Sequence, residues 1–140
     1  MSDYVNWYGA ARHQDWRTPP SIFDPLNEEF RFDLDGAATE GNSLLNDAST
    51  PENPVPWNGR RVFCNPPWSN IAPFIDEAVL AQVAVLLVPA RTNARWFHHA
   101  LDMGAEVRFF LGRPSFIPND PTTKVSSSPV DCVFLVFGMP

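Results

Sequence analysis

The sequence predicts an α/β fold: an abridged, mostly parallel sheet that ends in a C-terminal antiparallel hairpin. Three observations point there. Apolar strand-like runs at residues 62–64 and 83–88 alternate with helical stripes. The run 83–88 is apolar throughout, as expected at the buried centre of a parallel sheet. The last two runs, 107–111 and 132–137, have no helical pattern between them, which reads as an antiparallel pair.

Each element has a local reason. Residues 1–17 read as an N-terminal arm carrying Trp7, Tyr8 and Trp16, and residues 18–140 as a single domain, a length that suits one core. Thr18-Pro19-Pro20 opens a helix, with Thr18 placed as its cap and proline suited to a first turn. Ile22, Leu26 and Phe30 recur at four-residue spacing, a buried stripe. Residues 30–35 then alternate Phe30, Phe32, Leu34 against Arg31, Asp33, Asp35, which predicts a strand. Residues 36–61 are rich in turn formers.

Asn70 is placed to cap a helix reaching about Gln82, with Ile71, Phe74, Ile75, Ala78 and Val79 on one face. Residues 93–103 read as a helix with Phe97 and Leu101 inward and Gly104 past its end. About twenty residues separate the last two strands, and a loop that long in a compact domain usually serves a function. Ligands of parallel sheets bind at the carboxyl ends of the strands. Asp35, Asn65, Pro89-Ala90-Arg91 and Gly112-Arg113 all fall there, so they are expected on one edge.

Composition limits the function classes. The chain has 140 residues, 44% hydrophobic and 19% charged, which is a folding composition and not that of a disordered tail. The longest apolar run, 83–90, is too short to span a bilayer, and the N-terminus lacks the apolar segment of a signal peptide. A cytoplasmic protein without a membrane partner is expected. Cys64 and Cys132 lie in apolar runs and read as buried thiols. His98 and His99 would diverge on a helix and His13 is isolated, so no metal site is expected. The net charge of −6 argues against a broad non-specific nucleic-acid surface. The charge is uneven: residues 1–57 hold ten acidic and three basic side chains, residues 58–140 six and seven.

The residues that carry chemistry are Asn65-Pro66-Pro67-Trp68, directly after the run 62–64. The exocyclic amine of a nucleobase is a weak nucleophile because its lone pair is delocalised into the ring. Two acceptors around its hydrogens localise that pair and stabilise the positive charge that develops during methyl transfer. The Asn65 side-chain oxygen and the Pro66 carbonyl can be those acceptors. Each proline fixes its own φ and restricts the preceding residue, so the oxygens are aimed in advance. Trp68 offers a face on which a base can stack. A base in a duplex must first be flipped out to reach such a pocket. The same turn suits any planar amino group: adenine N6, cytosine N4, an RNA adenine or a protein glutamine. A non-catalytic binding protein on the same fold is the alternative from another class.

With those residues in view, the chain resembles the phage-type DNA N6-adenine methyltransferases, the phage Dam family. The matching segments are W-R-T-P at residues 16–19, F-R-F-D-L-D-G-A-A at 30–38, V-F-C-N-P-P-W-S at 62–69, L-L-V-P-A-R-T at 86–92 with W-F-H at 96–98, and G-R-P-S-F at 112–116. The resemblance implies a Rossmann-like methyltransferase fold, S-adenosyl-L-methionine as donor and DNA as partner. It implies catalytic roles for Asn65, Pro66, Pro67 and Trp68. It places Thr18, Pro19, Asp35, Gly36, Ala37 and Asn65 at the cofactor. Trp68, Ser69, Arg91, Arg113 and Phe116 are placed at the substrate base or its phosphates. Arg91 is alternatively placed to pair with Asp35 or Asp76, and Arg60 or Arg61 to contact DNA. The implied setting is the cytoplasm of a bacterium or a phage-infected host cell. Monomer and homodimer are both compatible with the sequence.

Overall fold

In the computed structural model, residues 16–38, 43–109, 111–118, 126–127 and 130–138 are described, the side chains of 16, 17, 118, 126 and 127 excepted. The elements run β1 (Trp16–Arg17), α1 (Pro20–Phe30), β2 (Leu34–Asp35), β3 (Arg61–Cys64), α2 (Ala72–Leu80), β4 (Val83–Pro89), α3 (Arg95–Asp102), β5 (Glu106–Phe109), β6 (Ser115–Pro118), β7 (Ser126–Ser127) and β8 (Cys132–Gly138). Five strands form one mixed sheet in the order β2-β3-β4-β8-β5. β2, β3 and β4 are mutually parallel, and β8 runs antiparallel between β4 and β5. The last two strands therefore pair antiparallel as expected, but β8 enters inside the sheet and leaves β5 at its edge.

β4 explains the layering. All seven of its residues are buried, and successive side chains point to opposite faces. Ala84, Leu86 and Val88 join Ile71, Phe74, Ile75, Ala78, Phe97 and Ala100 beneath α2 and α3. Val83, Val85 and Leu87 join Phe23, Leu26 and Phe30 beneath α1. The sheet is thus sandwiched between helices, with a core on each face. Cys64 and Cys132 are buried and not joined in a disulfide, one lying in each core.

The short parallel edge is covered from within the chain. Asp35 pairs with Ala48 in a parallel bridge, and Ala38 N–H donates to the Ser49 carbonyl at 3.0 Å. The segment after β2 thereby does the work of a further strand at an edge that would otherwise be open. The connection from β5 to β8 contains β6 and β7, which join β1 in a small antiparallel sheet, β1-β6-β7.

Several expectations are corrected. Thr18 does not cap α1: Pro19 holds the cap position, no side chain bonds there, and Thr18 is buried. Phe23 replaces Ile22 in the buried stripe. The strand expected over 30–35 shrinks to Leu34–Asp35, because α1 runs on to Phe30 and Arg31 terminates it at φ 56°. Asn70 does not cap α2 either; Ile71 precedes it without a side-chain bond. Val79 and Leu101 are exposed, and Ala100 takes the inward place expected of Leu101. Phe109 and Leu111, expected in a strand, are exposed, and the strand stops at Phe109.

Candidate active site

The carboxyl edge of the sheet gathers the candidate residues. β2 ends at Asp35, β3 at Cys64 just before Asn65, and β4 at Pro89. Cys132, which opens the reversed strand β8, pairs with Pro89 at the same edge. Arg113 follows β5 and donates to the Asp131 carboxylate at 2.9 Å, while the Asp131 carbonyl accepts from Ala90 N–H at 2.9 Å. Arg113 is thereby drawn to the rim next to Ala90 and Arg91.

The Asn65-Pro66-Pro67-Trp68 turn is held from both sides. The Pro67 carbonyl accepts from Asn70 N–H at 3.0 Å, which closes the turn into α2. Trp68 is half-buried and packs against both cores, with its indole N–H donating to the Leu87 carbonyl at 3.4 Å. Phe116 meets Trp68 edge to face at 5.8 Å between ring centres, so two residues expected at the substrate base lie together. Pro66 and Pro67 are buried, while Asn65 is half-buried. No described residue donates to the Asn65 side-chain oxygen or to the Pro66 carbonyl. The turn is rigid, and both proposed acceptors are without a donor from the described residues.

Asp35 is not a solvated strand end. It is 4% exposed, and its carboxylate accepts from Ala37 N–H at 3.3 Å and Leu44 N–H at 3.1 Å. Burial pushes its pKa up to about 6 against the pull of those two amides. Burial also raises the Cys64 thiol well above its ordinary value, with the Asp35 charge adding to it. Gly36 is required by packing: a β-carbon there would come within 2.9 Å of Trp57 Cε2 and of Val62 Cγ1. A carboxylate has about four acceptor positions. Two on Asp35 serve the backbone, and the donor set of a cofactor hydroxyl or ammonium suits the remainder.

Thr18 and Pro19 sit where β1 turns into α1, with Thr18 buried and Pro19 half-buried. Ser69 is exposed beside Trp68, and Arg91 is exposed at the end of β4. Arg91 does not pair with Asp35 or Asp76. Asp35 bonds backbone amides, and Asp76 meets His99 at 3.2 Å. Arg60 and Arg61 lie at the amino end of β3, the edge opposite Asn65. Arg60 pairs with Asp33 at 3.1 Å and Asp47 at 2.6 Å, and Arg61 donates to the Phe30 carbonyl at 2.6 Å. Among the described residues no cluster of three His, Cys, Asp or Glu could hold a metal ion, and no helix is long and apolar enough to cross a membrane.

Sequence reasoning missed three contributors: Asp131, which ties Arg113 to the rim; the Leu87 carbonyl, which anchors Trp68; and the Leu44 amide, which holds Asp35. Two of them act through main-chain atoms, which carry no residue-type signal. The third spans eighteen residues of separation.

A mixed α/β sheet with an Asn-Pro-Pro-Trp turn and an aromatic pair at its carboxyl edge is the arrangement expected of the amino-methyltransferase class. The particular family follows from likeness to known proteins. Residues 9–140 match the model of the Dam family, DNA N-6-adenine-methyltransferase, and the chain belongs to that family. It is 31% identical over 116 residues to the DNA N-6-adenine-methyltransferase of Haemophilus phage HP1 (strain HP1c1), a match covering 75% of this chain and 67% of that protein. No solved structure matches the chain significantly.

Proposed function

We propose that this protein transfers a methyl group from S-adenosyl-L-methionine to N6 of an adenine flipped out of DNA. The observation that carries the reading is the pair of open acceptors, Asn65 Oδ1 and the Pro66 carbonyl, on a turn braced by Trp68 and Phe116. Residues 18–140 form the catalytic domain in this reading, on a Rossmann-like methyltransferase fold trimmed at the β2 edge. The arm expected over residues 1–17 lies outside the described residues up to residue 15, and Trp16–Arg17 form β1, paired with β6.

The donor supplies a methyl group on a sulfonium, an electrophile that needs no metal. Thr18, Pro19, Asp35, Gly36, Ala37 and Asn65 would hold it, with Asp35 accepting from a hydroxyl or ammonium. Asn65 and Pro66 accept the two N6 hydrogens of adenine. That localises the nitrogen lone pair and offsets the charge that grows as the N–C bond forms and the donor's sulfur–methyl bond breaks, its electron pair staying on the departing thioether sulfur. Trp68 stacks the base, Phe116 braces the indole edge to face from the core side and so fixes the approach, and Ser69, Arg91 and Arg113 hold the flanking backbone. After transfer, the surplus N6 proton passes to water. The cell compartment that fits is the cytoplasm of a bacterium or its phage-infected host.

Asn65→Ala should lower methyl transfer by roughly 100-fold or more, the usual cost of one such acceptor or donor. Calorimetric binding of S-adenosyl-L-methionine should persist. Mass analysis of nucleosides from DNA treated with labelled donor should show label in N6-methyladenine. Label in N4-methylcytosine instead, or wild-type turnover by Asn65→Ala, would overturn the mechanism.

A further inference from the structure

A base cannot leave a duplex without opening a gap in the stack, and proteins that deform duplexes commonly fill such gaps with apolar side chains. The site turn does not offer one, because Trp68 and Phe116 are packed against each other and into the cores. The most exposed large apolar side chains among the described residues are elsewhere on the same edge: Leu111, fully exposed at 103%, and Phe109, at 81%.

Their position is informative. β5 runs parallel to β4, so Phe109 lies at the carboxyl edge with Asn65. Three strand spacings, about 14 Å, separate β3 from β5 across the sheet. From Phe109 the chain returns toward the turn, since Phe116 touches Trp68. Gly112 is left-handed at φ 84°, and Arg113 beyond it is held toward the rim by Asp131. Leu111 therefore stands on a path between the sheet's outer strand and the base pocket, next to an arginine suited to a phosphate. The remaining exposed large apolar residues among the described ones, Val79, Leu80, Leu101 and Met103, lie near the helix ends that lead to the opposite edge.

We infer that Leu111, supported by Phe109, is a wedge that enters the DNA stack and fills the space left by the flipped adenine. The inference rests on the proposed adenine-N6 reaction. A chain of net charge −6 has little general attraction for phosphate, so an apolar hold at the opened step has particular value here. A second copy of the chain pairing along the β5 edge is the competing occupant.

The test uses DNA free of N6-methyladenine, offered as duplex and after heat denaturation. Leu111→Ser and Phe109→Ser should each slow methylation of duplex by roughly tenfold or more, because the cost of extrusion is no longer offset. On denatured DNA, where nothing need be flipped, both should stay close to wild type. Leu111→Met should restore duplex activity, and the control Leu101→Ser should change neither. Equal loss on both substrates, no loss on duplex, or a changed sedimentation mass for Leu111→Ser would overturn the wedge. A wild-type protein that methylates neither form overturns the proposed reaction, and the wedge falls with it.

Discussion

Asp35 is the only buried carboxylate among the described residues, and it sits one strand away from the Asn65 turn. An ordinary aspartate titrates near 3.8, whereas burial holds this one at about 6 in the fold. The sign follows from linkage. Between pH 4 and 6 the native state keeps a proton that the unfolded chain has lost, so this group's contribution falls as pH rises through that window and is flat above it. At pH 7 the ionised side chain costs roughly 3 kcal/mol relative to its unfolded reference. Asp35→Asn cannot titrate but keeps one acceptor. Urea unfolding should therefore show the variant gaining on wild type from pH 4 to about 6.5, on top of a constant offset for the lost second acceptor. Parallel stability curves would show that Asp35 does not titrate in this window. Such a cost is tolerated most readily where a charge is used, which fits its place at the proposed cofactor edge.

At the scale of elements, helix starts are the weak points of this fold. None of α1, α2 and α3 has a side-chain cap: Pro19, Ile71 and Ala94 hold the cap positions. Ala94 has φ −75° and ψ 146°, the extended geometry in which a serine or aspartate accepts from the first-turn amides. Ala94→Asp should stabilise the protein by about 1 kcal/mol and raise the melting temperature by roughly 2–5 °C. An unchanged or lower melting temperature would mean the half-buried site cannot accept the carboxylate. These caps also show what was legible in sequence. Thr18 and Asn70 are cap-type residues close to helix starts, but each lies one position before the cap, a shift that propensity does not resolve. The alternation from Phe30 to Leu34 was real as burial, yet only Leu34–Asp35 found a strand partner, because α1 claimed Phe30 first. The NPPW turn and the ends of β2 and β3 were readable because local residue type sets them, whereas the contact of Trp68 with Phe116, 48 residues away, was not. The insertion of β8 between β4 and β5 depends on pairings some fifty residues apart, such as Val83 with Gly138, and no local pattern carries that.

At the scale of the molecule, charge placement limits how DNA can be held. Of the ten basic residues, Arg60 and Arg61 are engaged at the amino end of β3. Arg108 forms a two-bond pair with Glu29 at 2.8 Å and lies over the Phe30 ring at 5.0 Å, clasping β5 to α1; Glu29 and Glu106 raise its pKa. The described arginines on or near the carboxyl edge that can face phosphate are Arg91, Arg95 and Arg113, the last already paired with an exposed Asp131. Each neutralised phosphate contributes about −0.9 to the slope of log affinity against log salt, so three contacts predict a slope on the order of −3. Fluorescence anisotropy with a labelled duplex across a range of sodium chloride concentrations should give that shallow dependence. Arg91→Gln should reduce the slope by about one without changing which DNA is preferred, as expected for a phosphate contact. A slope of about −6 or steeper would require a much broader basic surface than this edge presents, and would move the DNA away from the Asn65 turn.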